Sequence, residues 1–238
     1  MSLTEILQRT RRFAQALDQL TFGKPVTHVY NPLVYGWESH KVYLEKFGST
    51  PKKVFFLGMN PGPWGMAQSG IPFGEVNIVE KWMGIKTKIG KPRSEHPKRP
   101  IEGFNCKRSE VSGKRLWGLM GKRFITADFF FAEHFVGNYC PLVFMEASGK
   151  NRTPDKLANV EKNALINLCD NYLRDFVQAL RPSYLIGVGS YAENCLQRNF
   201  SSQVYTIDKI LHPSPASPLA NNGWDQQATN KIKALGIW

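Results

Sequence analysis

Val54-Phe55-Phe56-Leu57-Gly58-Met59-Asn60-Pro61-Gly62-Pro63-Trp64-Gly65-Met66 joins a short, wholly apolar run to a turn packed with glycine and proline. Four apolar residues between Pro51 and Gly58 are too few for an amphipathic helix and too uniform for a half-exposed strand, so the run reads as a buried strand. Glycine lets the backbone approach a ligand and proline fixes φ, so the turn presents Asn60 in a defined position. The same arrangement recurs near the C-terminus, where Val204–Leu211 runs into His212-Pro213-Ser214-Pro215-Ala216-Ser217-Pro218 and offers His212. Two rigid loops, each after a strand and each holding one polar side chain, have the geometry of a site.

Outward from these loops, strand and helix patterns alternate. Tyr184–Val188 is a further buried strand, and Phe129–Tyr139 and Leu142–Met145 are strand-like. Helical spacing is found over Leu3–Leu20, Glu75–Met83, Val111–Met120, Tyr191–Arg198 and Trp224–Leu235. Thr153-Pro154-Asp155 predicts a helix start, with Thr153 as cap and Pro154 at the first helical position, the helix running on to Leu180 before Pro182. Gly84–Cys106 has no periodicity and reads as a long basic loop. Alternation of this kind predicts an α/β fold, a three-layer sandwich whose central four-stranded, mostly parallel sheet is flanked by helices. Ligands of such sheets bind outside the carboxyl ends of the strands, where both rigid loops emerge, so Asn60 and His212 are expected to face one cleft. No repeat or linker divides the chain, and residues 1–238 are read as a single domain.

The formal net charge is +12 over 238 residues, and it is concentrated. Between Lys81 and Arg123 thirteen Lys/Arg face only Glu95, Glu102 and Glu110, a local surplus of ten. Such a stretch suits a polyanion, because pairing with phosphates releases condensed counterions. Cys106, Cys140, Cys169 and Cys195 form no ligand-type spacing, which argues against a metal or iron–sulfur centre and for reduced thiols. Arg9, Arg11 and Arg12 interrupt the leading segment, and no apolar run reaches membrane-spanning length, so no signal peptide or membrane association is expected, and the protein is read as cytoplasmic.

Gly58-Met59-Asn60-Pro61-Gly62-Pro63, Pro72-Phe73-Gly74-Glu75, Asn138 ahead of Cys140-Pro141-Leu142, and His212-Pro213-Ser214-Pro215 occur in this order. Together they resemble the single-strand-selective monofunctional uracil-DNA glycosylases, over about residues 28–238. The resemblance implies a four-stranded parallel sheet between helices, no cofactor or metal, a monomer, and a substrate of DNA containing uracil or a related damaged base. It implies nucleoid association in a bacterium or a nuclear location in a eukaryote.

Cleaving the bond between a base and C1′ requires a base turned out of the stack, a stabilised anionic leaving group and a placed water. By the resemblance Asn60 places the water and His212 stabilises the departing base. An amide takes no proton at neutral pH, so Asn60 would act by positioning. Phe73 would stack on the base and Asn138 read its edge, giving to O4 and accepting from N3–H, a pair that cytosine reverses. Met59, Gly62 and Met66 complete the implied base site, with Gly62 and Met66 around C5, where family members accept 5-hydroxymethyluracil. Pro213, Ser214, Pro215, Ala216 and Ser217 form the implied DNA-contacting loop.

Two positions depart from the family pattern. Trp64 stands where Phe is usual, and Ala216 where Arg is frequent. An arginine there can fill the gap left by the flipped base, whereas alanine is a small wedge, so slower action on fully paired DNA is expected. A main activity on deaminated purines, or a catalytically idle DNA-binding homologue, are the alternative readings. No site loop contains a lysine, which argues against lyase chemistry.

Overall fold

The computed structural model describes all residues, 1–238. Seven strands form in chain order: β1 (Val26–Tyr30), β2 (Val54–Gly58), β3 (His134–Asn138), β4 (Val143–Glu146), β5 (Asn151–Arg152), β6 (Tyr184–Val188) and β7 (Thr206–Ile210). Four of them make the central sheet in the order β3-β2-β6-β7, and all three pairings are parallel. Helices flank this sheet, as the strand and helix alternation predicts. Every residue of β2 is buried, whereas β7, at an edge, is buried only at Ile210. One apolar core runs from Ile6 to Ile237 and takes in side chains of all four parallel strands. No helix is long and apolar enough to cross a membrane.

Three expectations are corrected. The first half of Phe129–Tyr139 is helical: Ala127–Glu133 precedes β3, with Thr126 Oγ1 accepting from the Phe129 N–H and Asp128 in the first turn. A short aromatic run fits either period, and here the cap decides. Leu142–Met145 does contain a strand, β4, but it pairs antiparallel with β1 and β5 in a separate three-stranded sheet. Thr153 caps nothing with its side chain; Pro154–Lys156 is a single 3₁₀ turn, and the long helix begins at Asn159. That helix runs to Leu180 and stops at Arg181, which takes φ +51° just ahead of Pro182.

The basic segment Gly84–Cys106 carries only one 3₁₀ turn, Gly103–Asn105, yet it is fastened to the body. The buried Tyr30 hydroxyl accepts from the His96 N–H at 2.7 Å and donates to the Arg99 carbonyl at 2.8 Å. Buried Gln68 donates to the carbonyls of Pro63 and Pro100 and accepts from the N–H groups of Glu102 and Gly103, so all its hydrogen-bonding capacity is used. Strong side-chain-to-backbone bonds replace the missing ladder.

The chain passes from β2 to β3 on one side and returns by a long crossover to β6 on the other. The carboxyl ends of β2 and β6 therefore flank the topological switch point, where open α/β sheets form their crevice.

Candidate active site

At that crevice lies a cavity of about 300 Å³, the lower end of the range for small-ligand sites. Met59, Asn60, Gly62 and Met66 line it from the loop after β2, Phe73 from the following turn, Asn138 from the end of β3, and His212 and Ser214 from the loop after β7. Of the DNA-contacting positions expected from sequence, only Ser214 reaches the cavity wall. Pro213 is buried below the loop, Ser217 is half-buried, and Pro215 and Ala216 are exposed at its tip.

Register explains the convergence on the β2 side. Gly58 pairs with Asn138 across the β2–β3 ladder, so the base of the first loop and the amide lie side by side. A Cβ at Gly58 would stand 2.5 Å from both Asn138 Oδ1 and Phe73 Cε2, so glycine is what lets the amide and the ring close on this point. Phe73 is held at φ +54°, a strained conformation for a non-glycine residue. Its carbonyl accepts from the Glu75 N–H at 2.7 Å, and Gly113 approaches so closely that a Cβ there would meet that oxygen at 1.9 Å.

His212 starts from β7, with β6 between it and β2. The gap closes because β6 ends at Gly189, φ +92°, whose absent Cβ would lie 3.0 Å from His212 Cβ. The imidazole leans over that glycine until its ring centre is 6.3 Å from that of Phe73. The loop behind it is stitched to the body: Arg115 donates to the Pro213 carbonyl at 3.1 Å and to Asn221 Oδ1 at 3.0 Å, and Trp224 Nε1 donates to the Leu211 carbonyl at 2.6 Å.

Hydrogen bonds fix which atoms face the cavity with free valence. Asn60 Nδ2 donates to the Leu142 carbonyl at 3.2 Å and the Pro61 carbonyl at 3.4 Å, leaving Oδ1 as an available acceptor. His212 Nδ1 accepts from the Ser214 N–H at 3.1 Å, so in the neutral ring Nε2 bears the proton and is a donor. Burial lowers the His212 pKa and keeps the ring neutral. Asn138 Nδ2 makes only a 3.5 Å contact to Met66 Sδ, and both its edge functions remain open to a ligand.

Sequence reasoning passed over Pro61, Gly65, Glu110, Ser112, Asn151 and Thr153, which also line the cavity. Glu110 is packed against Gly62 and Gly65, and burial raises its pKa. Its place among thirteen cations, as one of only three acids in that stretch, was the available signal. Asn151 sends Nδ2 toward the Pro61 carbonyl at 3.4 Å while its Oδ1 is buried without a partner; nothing local in the sequence marks it.

Comparisons with known proteins place the chain in a family. The model of the uracil DNA glycosylase superfamily matches residues 45–233. The single-strand selective monofunctional uracil-DNA glycosylase of Rattus norvegicus is 44% identical over 99% of this chain and 86% of its own. The Mus musculus protein of the same name is 43% identical over the same shares. The crystal structure of wild-type Pedobacter heparinus SMUG2 superposes with a TM-score of 0.69 at 17% identity, covering 98% of this chain and 99% of that one, a likeness of fold. With most of its length matched by the family model and more than two fifths of its residues shared with full-length relatives, the chain belongs to the uracil DNA glycosylase superfamily, among the single-strand selective monofunctional uracil-DNA glycosylases.

Proposed function

We propose that this protein excises uracil from DNA by hydrolysing the bond between N1 of the base and C1′ of deoxyribose, leaving an abasic site for base-excision repair. One observation supports this most directly: an amide with a free oxygen, a neutral imidazole with a free N–H, an aromatic ring and a second amide line a single cavity, drawn from four separated segments. Those are the four functions that the reaction needs.

A uracil turned out of the strand lies against Phe73, with Asn138 Nδ2 donating to O4 and Oδ1 accepting from N3–H. Cytosine carries a donor where uracil has O4 and an acceptor where uracil has N3–H, and is refused. As the glycosidic bond breaks, its electron pair leaves on the base, and His212 Nε2–H donates to the charge that gathers on O2. A preorganised donor of this kind contributes roughly 3–4 kcal/mol of transition-state stabilisation. Asn60 Oδ1 accepts from a water whose oxygen then joins C1′, the proton passing to solvent or to the expelled base. No residue need act as a strong base, because the sugar has gained oxocarbenium character before attack. A lyase step would need an amine nucleophile, and no lysine lines the cavity.

Gly62 and Met66 face C5 in this reading and leave room for 5-hydroxymethyluracil. The exposed tip at Pro215 and Ala216 meets the DNA, supported by Ser217, while the enzyme works as a monomer and a single domain wherever the DNA is held. Incubation with oligonucleotides carrying one uracil, 5-hydroxymethyluracil, hypoxanthine or xanthine, single- and double-stranded, tests the proposal. Alkali-labile abasic sites at uracil and 5-hydroxymethyluracil without metal are expected. Cleavage confined to the purines, or no abasic sites, would overturn it.

A further inference from the structure

Beside the uracil cavity, on the outer side of the same loop, a second cleft opens between Trp64 and the turn Pro97-Lys98-Arg99-Pro100, with Arg108 and Glu102 on its rim. Some cations of the basic segment are paired with carboxylates, and those of this cleft are not. Lys86 is neutralised by Glu80, Lys91 by Glu95 and Arg93 by Asp18, whereas Lys98, Arg99 and Arg108 have no carboxylate within 4 Å, Glu102 included. The guanidinium groups of Arg99 and Arg108 lie 5.3 and 4.7 Å from the centre of the Trp64 ring, near enough for cation–π attraction to hold both in place. Arg99 Nε is buried without an acceptor, although NH1 of the same group donates to the Lys98 carbonyl at 2.8 Å.

The frame behind these charges is rigid. Tyr30 pins both ends of the turn, and His96 Nδ1 accepts from the Lys98 N–H at 3.1 Å. Gln68 ties Pro63, next to Trp64, to Pro100 through a single buried amide. Like charges are thus kept together, uncompensated, by bonds that hold the two walls in register. Folding gains nothing from gathering unpaired cations; an anion does. Trp64 is four residues from Asn60, and Gly62 and Gly65 on either side of it line the uracil cavity, so the two sites share one loop.

We propose that this cleft clamps a phosphodiester of the DNA strand next to the extruded nucleotide, Arg99 and Arg108 donating to the phosphate oxygens with Trp64 as the positioning residue. The inference rests on the glycosylase reading and adds a backbone site to it. Guanidinium forks suit phosphate oxygens. Because Trp64 shares a loop with Asn60 and Gln68 ties that loop to the Arg99 turn, seating a phosphate sets the register of the sugar beside it against the catalytic amide.

The test is equilibrium binding, by fluorescence anisotropy over a range of salt, of a single strand with one non-hydrolysable 2′-fluoro-deoxyuridine. Arg99→Gln/Arg108→Gln should reduce the slope of log Kd against log salt by about 0.7, the share of one neutralised phosphate on a single strand. Arg108→Gln alone, at an exposed position, should reduce it by a smaller amount, since Arg99 still faces the phosphate. A methylphosphonate placed at each flanking position in turn should weaken the parent at one position beside the uridine and leave the double variant indifferent there. Equal slopes for parent and both variants, or a methylphosphonate profile identical in parent and double variant, would overturn the clamp. Both measurements read binding, so parental failure to cleave uracil would count against the glycosylase reading separately.

Discussion

The two loops that meet at the cavity are built to different standards. The first leaves the fully buried central strand β2, and its Asn60 and Gln68 are tied to the backbone of two other segments, at Leu142 and at Pro100–Gly103. The second leaves the edge strand β7, is steadied by Arg115, Asn221 and Trp224, and ends in an exposed tip at Pro215 and Ala216. A water must be placed to a fraction of an ångström, which requires a rigid frame. A loop that enters DNA must instead reach outward. The difference fits the proposed roles, attack from the first loop, and from the second both leaving-group stabilisation at its root and strand engagement at its tip.

The largest effect should come from the amide. Asn60→Ala removes the acceptor for the water together with the Asn60–Leu142 bond, while Gln68 still holds the loop, and single-turnover cleavage should fall by about 10²–10³ with DNA binding unchanged. Parental single-turnover rates in that variant would break the division between the loops.

Acid should loosen the first-loop side next. Burial lowers the pKa of His40, which bonds the Gly70 carbonyl in the turn before Phe73, and of His134, at the start of β3, each from 6.5 to about 4. The unfolded chain takes up these protons near pH 6.5 and the folded one only near 4. The contribution is therefore full above pH 6.5 and lost as pH falls through that window, to about 3 kcal/mol per histidine. Urea unfolding from pH 7 to 4 should show the decline, with a shallower slope in His40→Gln; a pH-independent midpoint would contradict it.

Gly58→Ala probes the meeting point of Asn138 and Phe73. Overpacking there costs about 1–3 kcal/mol, so cleavage should drop about tenfold or more and discrimination between uracil and cytosine should narrow. Unchanged kinetics would mean that the pair does not read the base.

Ala216→Arg is the mildest change and the one confined to the second loop. Duplex cleavage should rise a few-fold, as a longer side chain fills the vacated stack, with single-strand cleavage unaltered. Equal duplex rates would detach the tip from strand opening.

Much of this is legible in the sequence. The β2 run, both Gly/Pro loops and the helices after Ser190 and Gly223 announce themselves by punctuation and period, and order alone puts the loops at carboxyl ends. What stayed hidden depends on distant partners. Strand β1, Val-Thr-His-Val-Tyr, alternates poorly and is defined by pairing with β4 more than a hundred residues later. The helix Trp37–Phe47 carries no side-chain cap. Glu110 and Asn151 reach the cavity only through tertiary packing, and the rigidity of the basic segment comes from Tyr30, Gln68 and His96, none of which looks exceptional in the sequence.

The division of labour is tested most directly by changing the leaving group. 5-Fluorouracil departs more readily than uracil because its anion is more stable, and it relieves a defect in leaving-group stabilisation but not in water placement. On paired oligonucleotides under single-turnover conditions, the substitution should accelerate His212→Ala by a distinctly larger factor than Asn60→Ala or the parent. Equal factors in all three proteins would contradict the account.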